Sequence, residues 1–312
     1  MSVTQQIVLT LMGVGLALAV ATVMGRLLMS WADGGSQTLA NLNARIDAWW
    51  VMVPVIGVAL VLGDAGLIVL FAILSGAALR EFFTWSRWRA NDHRALVVAF
   101  FVVLPLQYYL IWVGSYELFS TLIPIYVLVL VPTLSALRAD TRQFLERVAQ
   151  IQWGLMVCVF CLSHVPALTM LRIPGYEDRA LCLVVFLLLV AQASDVLQYV
   201  CGKLIGRRRI APSVSPSKTV AGFVGGIASA TLLGAALWRI TPFEPWEAAL
   251  LALIIASLGF LGGLVMSAVK RGLDIKDWGW SIDGHGGVLD RLDSLVFSAP
   301  VFFHIARYFW AG

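Results

Sequence analysis

Charge is what this sequence has least of. Lys, Arg, Asp and Glu make up 13% of its 312 residues, where an ordinary soluble domain carries roughly 25%. With 60% hydrophobic residues and a mean hydropathy of +0.87, it has too few polar side chains to coat a water-soluble body of this size. The shortage excludes a soluble enzyme or binding module and leaves an integral membrane protein. Cysteine is scarce as well: Cys158, Cys161, Cys182 and Cys201 are the whole set. The C-x-x-C of Cys158 and Cys161 sits inside the hydrophobic stretch 152–171, where both read as small apolar fillers. Neither a disulfide framework nor a zinc site is expected. The first apolar run, Ile7–Met24, has no basic residue before it, so the charged start of a secretory signal is missing. It is expected to be an uncleaved first span, with Arg26 at its cytoplasmic end. No internal repeat is apparent, and no polar stretch is long enough to fold alone.

What the sequence has in quantity is apolar runs close to the roughly 20 residues that cross a hydrocarbon core. Ten are expected to span, at about 7–24, 46–62, 64–82, 95–112, 117–133, 152–171, 181–199, 219–238, 247–269 and 295–310. The second and third share one run divided only by Gly63-Asp64; without a turn there the count falls to nine. The expected fold class is an all-α integral membrane protein, a polytopic bundle of nine or ten transmembrane helices. Residues 1–150 would be N-terminal helices forming a lipid-facing scaffold, and 151–312 a C-terminal catalytic region. The segment Ala40–Asp47 could lie along the interface, with Trp49 and Trp50 at headgroup depth.

Placement of the positive charge orients the bundle, because Lys and Arg collect in cytoplasmic loops. With alternating sides and the N-terminus outside, only Arg172, Arg179, Arg239 and Arg307 fall on the outer side. The remaining 18 of 22 basic residues, Arg147 among them, face the cytoplasm. Two cytoplasmic loops stand out, the basic Gly202–Lys218 and the long polar Lys270–Ser294.

These loops carry the residues that could do chemistry. In Asp290-Arg291-Leu292-Asp293 the two carboxylates are three apart, which puts them on one face if the segment is helical. Such a pair suits magnesium, which takes one or two protein carboxylates and fills its shell with water and phosphate oxygens. Acids that merely favour a helix N-terminus would read the same way. Just upstream, Asp283-Gly284-His285-Gly286-Gly287 lets backbone approach a ligand closely, and its N–H groups could hold phosphate oxygens. Ser267, Lys270, Arg271, Lys276 and Asp277 surround the cytoplasmic end of the ninth span, either as anchors or to neutralise a polyphosphate. Ser215-Pro216-Ser217-Lys218-Thr219 opens the eighth span from the same side. Asp195 lies near the cytoplasmic end of the seventh, where an intramembrane acid is a functional candidate. Acids for a cation, bases for phosphates and glycines for close approach form a set suited to phosphoryl-type transfer.

The order Ser267-Ala268-Val269-Lys270-Arg271, Lys276-Asp277, Gly279 and His285-Gly286-Gly287-Val288-Leu289-Asp290-Arg291-Leu292-Asp293 resembles the signature of the phosphatidate cytidylyltransferases, or CDP-diacylglycerol synthases. Ser215-Pro216-x-Lys218-Thr219-x-x-Gly222 resembles that family's upstream motif, and the likeness extends over about residues 190–310. The family joins CTP to phosphatidate in the membrane, giving CDP-diacylglycerol and pyrophosphate in phospholipid biosynthesis. The resemblance implies Mg2+, with room for a second, monovalent or divalent, cation. It implies Asp290 and Asp293 as metal ligands, with Asp277 and Asp195 as further candidates. Lys270, Asp290 and Asp293 would be catalytic. Ser215, Lys218, Ser267, Lys270, Arg271, Lys276, His285, Gly286, Gly287 and Arg291 would bind substrate. CTP, phosphatidate or a related lipid phosphate, and membrane lipid are the implied partners; nucleic acid is not, and a homodimer is left open. The implied location is a bacterial inner membrane with the active site on the cytoplasmic face. Three departures stand out: Ala221 replaces a usual Glu, Asp283 a Pro or small residue, and Val196-Leu197-Gln198 the small residues after the family Asp. They leave open a paralogue acting on another lipid phosphate or a non-catalytic lipid-binding protein. A transporter would need ionisable residues near the midplane, and most charges here crowd one face. Gly222-x-x-x-Gly226 is expected to be a helix-packing site, Pro166 a kink, and Arg307 a residue snorkelling outward.

Overall fold

The structure is a computed structural model, and it describes residues 3–31, 37–86, 92–137, 140–177, 179–279 and 286–311. In hydrocarbon a spanning segment must satisfy its own backbone N–H and C=O groups, which a helix does. A helix accordingly stands on each apolar run. They are α1 (Val3–Trp31), α2 (Gln37–Val61), α3 (Gly63–Thr84), α4 (His93–Trp112), α5 (Tyr116–Ala136), α6 (Phe144–Met170), α7 (Ala180–Ile205), α8 (Val220–Ala236), α9 (Pro245–Gly272) and α10 (Leu289–Trp310). Seven of these, α1, α3 to α7 and α9, are long and apolar enough to cross a membrane. The apolar part of α2, Ile46–Val61, and α8 are shorter. The chain is a polytopic, helical integral membrane protein.

The division between α2 and α3 falls where Gly63 allowed it. Leu62 donates its N–H to the Val58 carbonyl at 3.0 Å, and Gly63 then takes φ +73°, a conformation that costs glycine little. The segment Ala40–Asp47 is the first part of α2 and not a separate interfacial helix. Asn43 Nδ2 donates to the Gly25 carbonyl at 3.3 Å and Trp50 Nε1 to Thr22 Oγ1 at 3.0 Å, so this end of α2 is held against α1. Helices α4, α5 and α6 each contain a wide π turn, at Ala99–Val103, Leu122–Val127 and Met156–Cys161. Pro124 lies in one of them and Pro105 two residues after another. Proline has no N–H to donate and crowds the carbonyl four residues back; a widened turn absorbs both effects.

Helices α7 to α10 form a close-packed group. Gly222 and Gly226 permit it. A Cβ at 222 would come 2.6 Å from the Gln198 carbonyl oxygen, and one at 226 would collide with Gln198 itself. This is the close helix contact expected of that glycine pair. The core draws on both halves of the chain. Helix α3 buries Leu67, Phe71, Ala78 and Leu79 against α6 and α10, so the first 150 residues do more than face lipid. Arg147 also departs from its expected role as a loop cation. Its side chain is buried, 3.3 Å from Asp92 Oδ1 and 2.9 Å from Asp140 Oδ2, and it ties the start of α6 to the segments flanking α4 and α5.

One element lies outside the all-α expectation. The basic loop after α7 folds into a small antiparallel hairpin, β1 (Arg209–Ala211) and β2 (Ser215–Thr219), pairing Arg209 with Thr219 and Ala211 with Ser215. Thr219 ends it by capping α8, its Oγ1 accepting the Gly222 N–H at 3.1 Å, as an N-terminal cap does.

Candidate active site

The site is built on the connection from α9 to α10. Arg271 Nη1 donates to the Ile275 carbonyl at 3.0 Å, and Asp274 takes φ +59°, so the chain turns back toward the bundle. Trp278 is then buried. Its ring stacks on Phe82 of α3 with centroids 5.3 Å apart, and its carbonyl accepts Trp85 Nε1 at 2.7 Å. At the other end of the loop Gly286 has φ +81°.

Asp290, in the first turn of α10, gathers these parts. Oδ1 lies 2.6 Å from Lys270 Nζ. Oδ2 accepts the Trp278 N–H at 2.8 Å and the Gly287 N–H at 2.9 Å. From the first half of the chain Glu81 does the complementary task, accepting the Val288 and Leu289 N–H groups at 2.9 Å each. The first N–H groups of a helix have no partner within it, and a carboxylate there also meets the positive end of the helix dipole. The fit is close. A Cβ at Gly286 would come 2.7 Å from Asp290 Oδ2, one at Gly279 would come 2.9 Å from Glu81 Oε1, and one at Gly287 would strike Glu81 Oε2.

A second group lies one turn further along α10. Asp293 interacts with Asp195 of α7 and with Lys218 of β2; Ser294 and Arg291 stand beside them. Lys218 Nζ donates to the Phe260 carbonyl of α9 at 3.1 Å and lies 4.5 Å from the centre of the Phe260 ring. Gly263 makes the space: a Cβ there would be 2.9 Å from Lys218 Nζ and 3.5 Å from Asp293 Oδ2. Burial pushes the Lys218 ammonium below the ordinary lysine range; the carboxylates of Asp293 and Asp195 oppose that shift and Lys270 adds to it. The hairpin and three helices thus bring two acids and a base together at one end of the bundle.

The expected site residues fall into three sets. Asp195, Lys218 and Asp293 form the inner group, and Lys270, Asp290, Gly286 and Gly287 form the loop network around it. Asp290 and Asp293 share the first turns of α10; Lys270 pairs with Asp290 and also acts on Asp293, which lies nearer Lys218. Ser267 donates to the Gly263 carbonyl of its own helix at 2.7 Å, and Ser215 is buried in the hairpin. Arg291 is half-buried, whereas Arg271, Lys276 and Asp277 are exposed. His285 and Asp283 lie outside the described residues. Among the described residues no three His, Cys, Asp or Glu converge on a metal position. Asp195 and Asp293 are carboxylates of the kind magnesium takes, and it needs no more than two from a protein. Asp290 already holds an ammonium and two N–H groups. Sequence reasoning passed over Glu81 and Trp278. The available signal for Glu81 was an acid within an apolar span, which is costly there without a purpose.

Residues 43–309 match the cytidylyltransferase family. The chain is 37% identical over 301 residues to YnbB of Escherichia coli (strain K12), a protein named as uncharacterized, covering 93% of this chain and 95% of that one. It is 34% identical over 154 residues to the phosphatidate cytidylyltransferase of Staphylococcus saprophyticus, covering 48% of this chain and 59% of that enzyme. The corresponding enzyme of Staphylococcus epidermidis is 33% identical over the same length. With the match running from α2 to the end of α10 and taking in both groups of site residues, the chain belongs to the cytidylyltransferase family.

Proposed function

We propose that the protein transfers a cytidylyl group from CTP to phosphatidate, giving CDP-diacylglycerol and pyrophosphate, at the cytoplasmic face of a bacterial inner membrane. The observation that carries this reading is the half-buried Asp195–Asp293–Lys218 group beside the Lys270–Asp290 pair, at the end of helices that cross a membrane. A lipid keeps its tails in the bilayer and brings its phosphate to this end, while the nucleotide arrives from water.

In the reaction an anionic phosphate oxygen of the lipid attacks the α-phosphorus of CTP. A phosphorus–oxygen bond forms to the lipid, the bond to the β-phosphate breaks, and pyrophosphate leaves. The nucleophile is already charged, so no strong general base is needed. The difficulty is bringing two anions together, and the remedy is positioning and charge neutralisation. Lys218 and Lys270 hold the nucleotide phosphates and Arg291 orients the lipid phosphate. Asp290 acts mainly by fixing Lys270 and the loop N–H groups. Asp195 and Asp293 would hold Mg2+, which supplies charge neutralisation at the triphosphate when bound.

The test is incubation of the purified protein with magnesium, labelled CTP and a panel of lipid phosphates, reading liponucleotide formation. Asp293→Asn and Asp195→Asn are each expected to lower kcat by at least about 100-fold, the scale of losing one transition-state charge contact. Wild-type rates in both variants would overturn the assignment. One observation favours another lipid phosphate as substrate. Ala221, three residues after Lys218 in the first turn of α8, stands where the resembled motif has Glu. The same panel separates the two readings, by whether phosphatidate or another lipid phosphate gives the highest kcat/KM.

A further inference from the structure

An apolar cavity of about 220 Å3 lies between α1, α2, α3, α7 and α10, walled by residues such as Leu11, Val14, Met52, Phe71 and Leu188. Arg291 is the one charged residue among its described lining. The polar end of the cavity is therefore also the edge of the carboxylate group, because Arg291 interacts with Asp195 and Asp293. Gln192, which lines the same end, donates to the Arg291 carbonyl at 3.5 Å. The outer wall is α1, which lies before the stretch matching the family at 43–309. Leu11 of α1 packs over Gly57 of α2, where a Cβ would meet it at 3.4 Å, an ordinary contact.

A cavity that is lined by hydrocarbon and bordered by Arg291, a cation that also acts on the carboxylate group of the site, calls for a ligand of the same pattern. We propose that it holds an acyl chain of the lipid phosphate substrate, with Arg291 at headgroup depth and α1 as the wall that selects chain length. The proposal rests on the lipid-phosphate reading of the site above. At about 220 Å3 the space is below the roughly 300–1,000 Å3 of drug-sized ligand sites, so it takes one chain and leaves the second among the bilayer lipids.

Two readouts on the full-length protein in nanodiscs test it. First, phosphatidate carrying a photoreactive group midway along one acyl chain is crosslinked and the labelled peptides are identified. Label in the segments of α1 and α2 that carry Leu11, Val14 and Met52, displaced by unlabelled phosphatidate, is expected. Second, Leu11→Trp and Val14→Trp fill the cavity from α1. They are expected to weaken crosslinking and, in turnover, to raise the KM for long-chain lipid about tenfold relative to the KM for CTP. Val20→Trp, on the exposed side of the same helix, is expected to change neither. Label confined to other segments, or long-chain KM and crosslinking unchanged in both filling variants, would overturn the proposal. Displaceable label at α1 and α2 without turnover on any lipid phosphate would uphold the cavity and sink the cytidylyltransfer reading.

Discussion

At the scale of single residues, the most consequential contact joins Glu81 to the start of α10. Both its oxygens are committed to backbone N–H groups, at 2.9 Å each, and the residue is buried. Hydrogen bonds to a charged group contribute about 1.5–3 kcal/mol each, and the N–H groups would be left buried without an acceptor. Glu81→Ala is expected to cost about 3 kcal/mol in stability and to lower kcat by loosening Gly287 and Asp290. Glu81→Gln keeps one acceptor and should lose about half as much. Thermal unfolding in detergent, run beside the cytidylyl-transfer assay, checks both. Equal melting temperatures for Glu81→Ala and wild type would mean that the N-terminus of α10 is satisfied another way. Arg147 offers a parallel case away from the site. Its guanidinium is buried between Asp92 and Asp140, and removing one partner of a buried pair typically costs about 3–5 kcal/mol. Arg147→Ala should therefore destabilise the protein strongly while the KM for CTP in the surviving folded fraction stays near wild type.

At the scale of elements, the approach of α8 to α7 sets where Lys218 ends up. Lys218 is carried by the hairpin between those helices, and Thr219 caps α8 directly after it. Gly226 faces Gln198 so closely that any side chain would collide. Gly226→Leu is expected to push α8 outward, withdraw Lys218 from Asp293 and reduce activity at least about tenfold; overpacking of this kind costs about 1–3 kcal/mol. Gly225→Ala, one residue earlier, would bring its Cβ to 2.9 Å from the Cys201 sulfur. The sulfur can turn away and the Cys201 Cβ, at 3.1 Å, need give only a few tenths of an ångström, so this change should be milder. A comparison of the two variants' activities and melting temperatures distinguishes helix spacing from a general effect of added bulk.

Much of this scale was legible in the sequence, for a physical reason. In lipid each span must be a continuous apolar helix, so hydropathy alone placed ten helices and Gly63 marked the turn inside the longest run. Lys270, Asp290 and Asp293 could be grouped from the sequence because they lie close together around the ends of α9 and α10, and Lys218 because its loop opens α8 from the same side. Two things were not. The hairpin strands are short and polar, without the alternating apolar pattern that betrays a strand. Glu81 meets Leu289 across 208 positions of sequence, and nothing in either local pattern names the partner. Asp290 and Asp293 read as a metal-binding pair in the sequence; in three dimensions Asp290 also accepts Lys270 and two loop N–H groups, and Asp195 of α7 is brought near Asp293 from 98 positions away.

At the scale of the whole molecule, the number of crossings decides which parts of the chain share a side, and the α2–α3 turn is where that number is set. If α2 and α3 each cross the membrane, the end of α1 lies on the same side as the loop after α9. If the pair crosses only once, the end of α1 lies on the opposite side, while the relation between the loop after α9 and the loop after α6 is unchanged. Ser30, at the end of α1, Lys276, after α9, and Glu177, after α6, are exposed and can report on this. Ser30→Cys and Lys276→Cys should react with a membrane-impermeant maleimide only after cells are opened, and Glu177→Cys should react in intact cells. The unsubstituted chain supplies the background, since Cys158 and Cys182 are buried and Cys161 and Cys201 partly so. Labelling of Ser30→Cys in intact cells, with Lys276→Cys still protected, would mean nine crossings. It would also place the polar end of α1 on the side away from Lys218 and Asp293, although Leu11 and Val14 could still line the cavity from within the bilayer. Protection of both sites is expected, because Arg26 near the end of α1 and the cluster of Lys270, Arg271 and Lys276 after α9 then obey one charge rule.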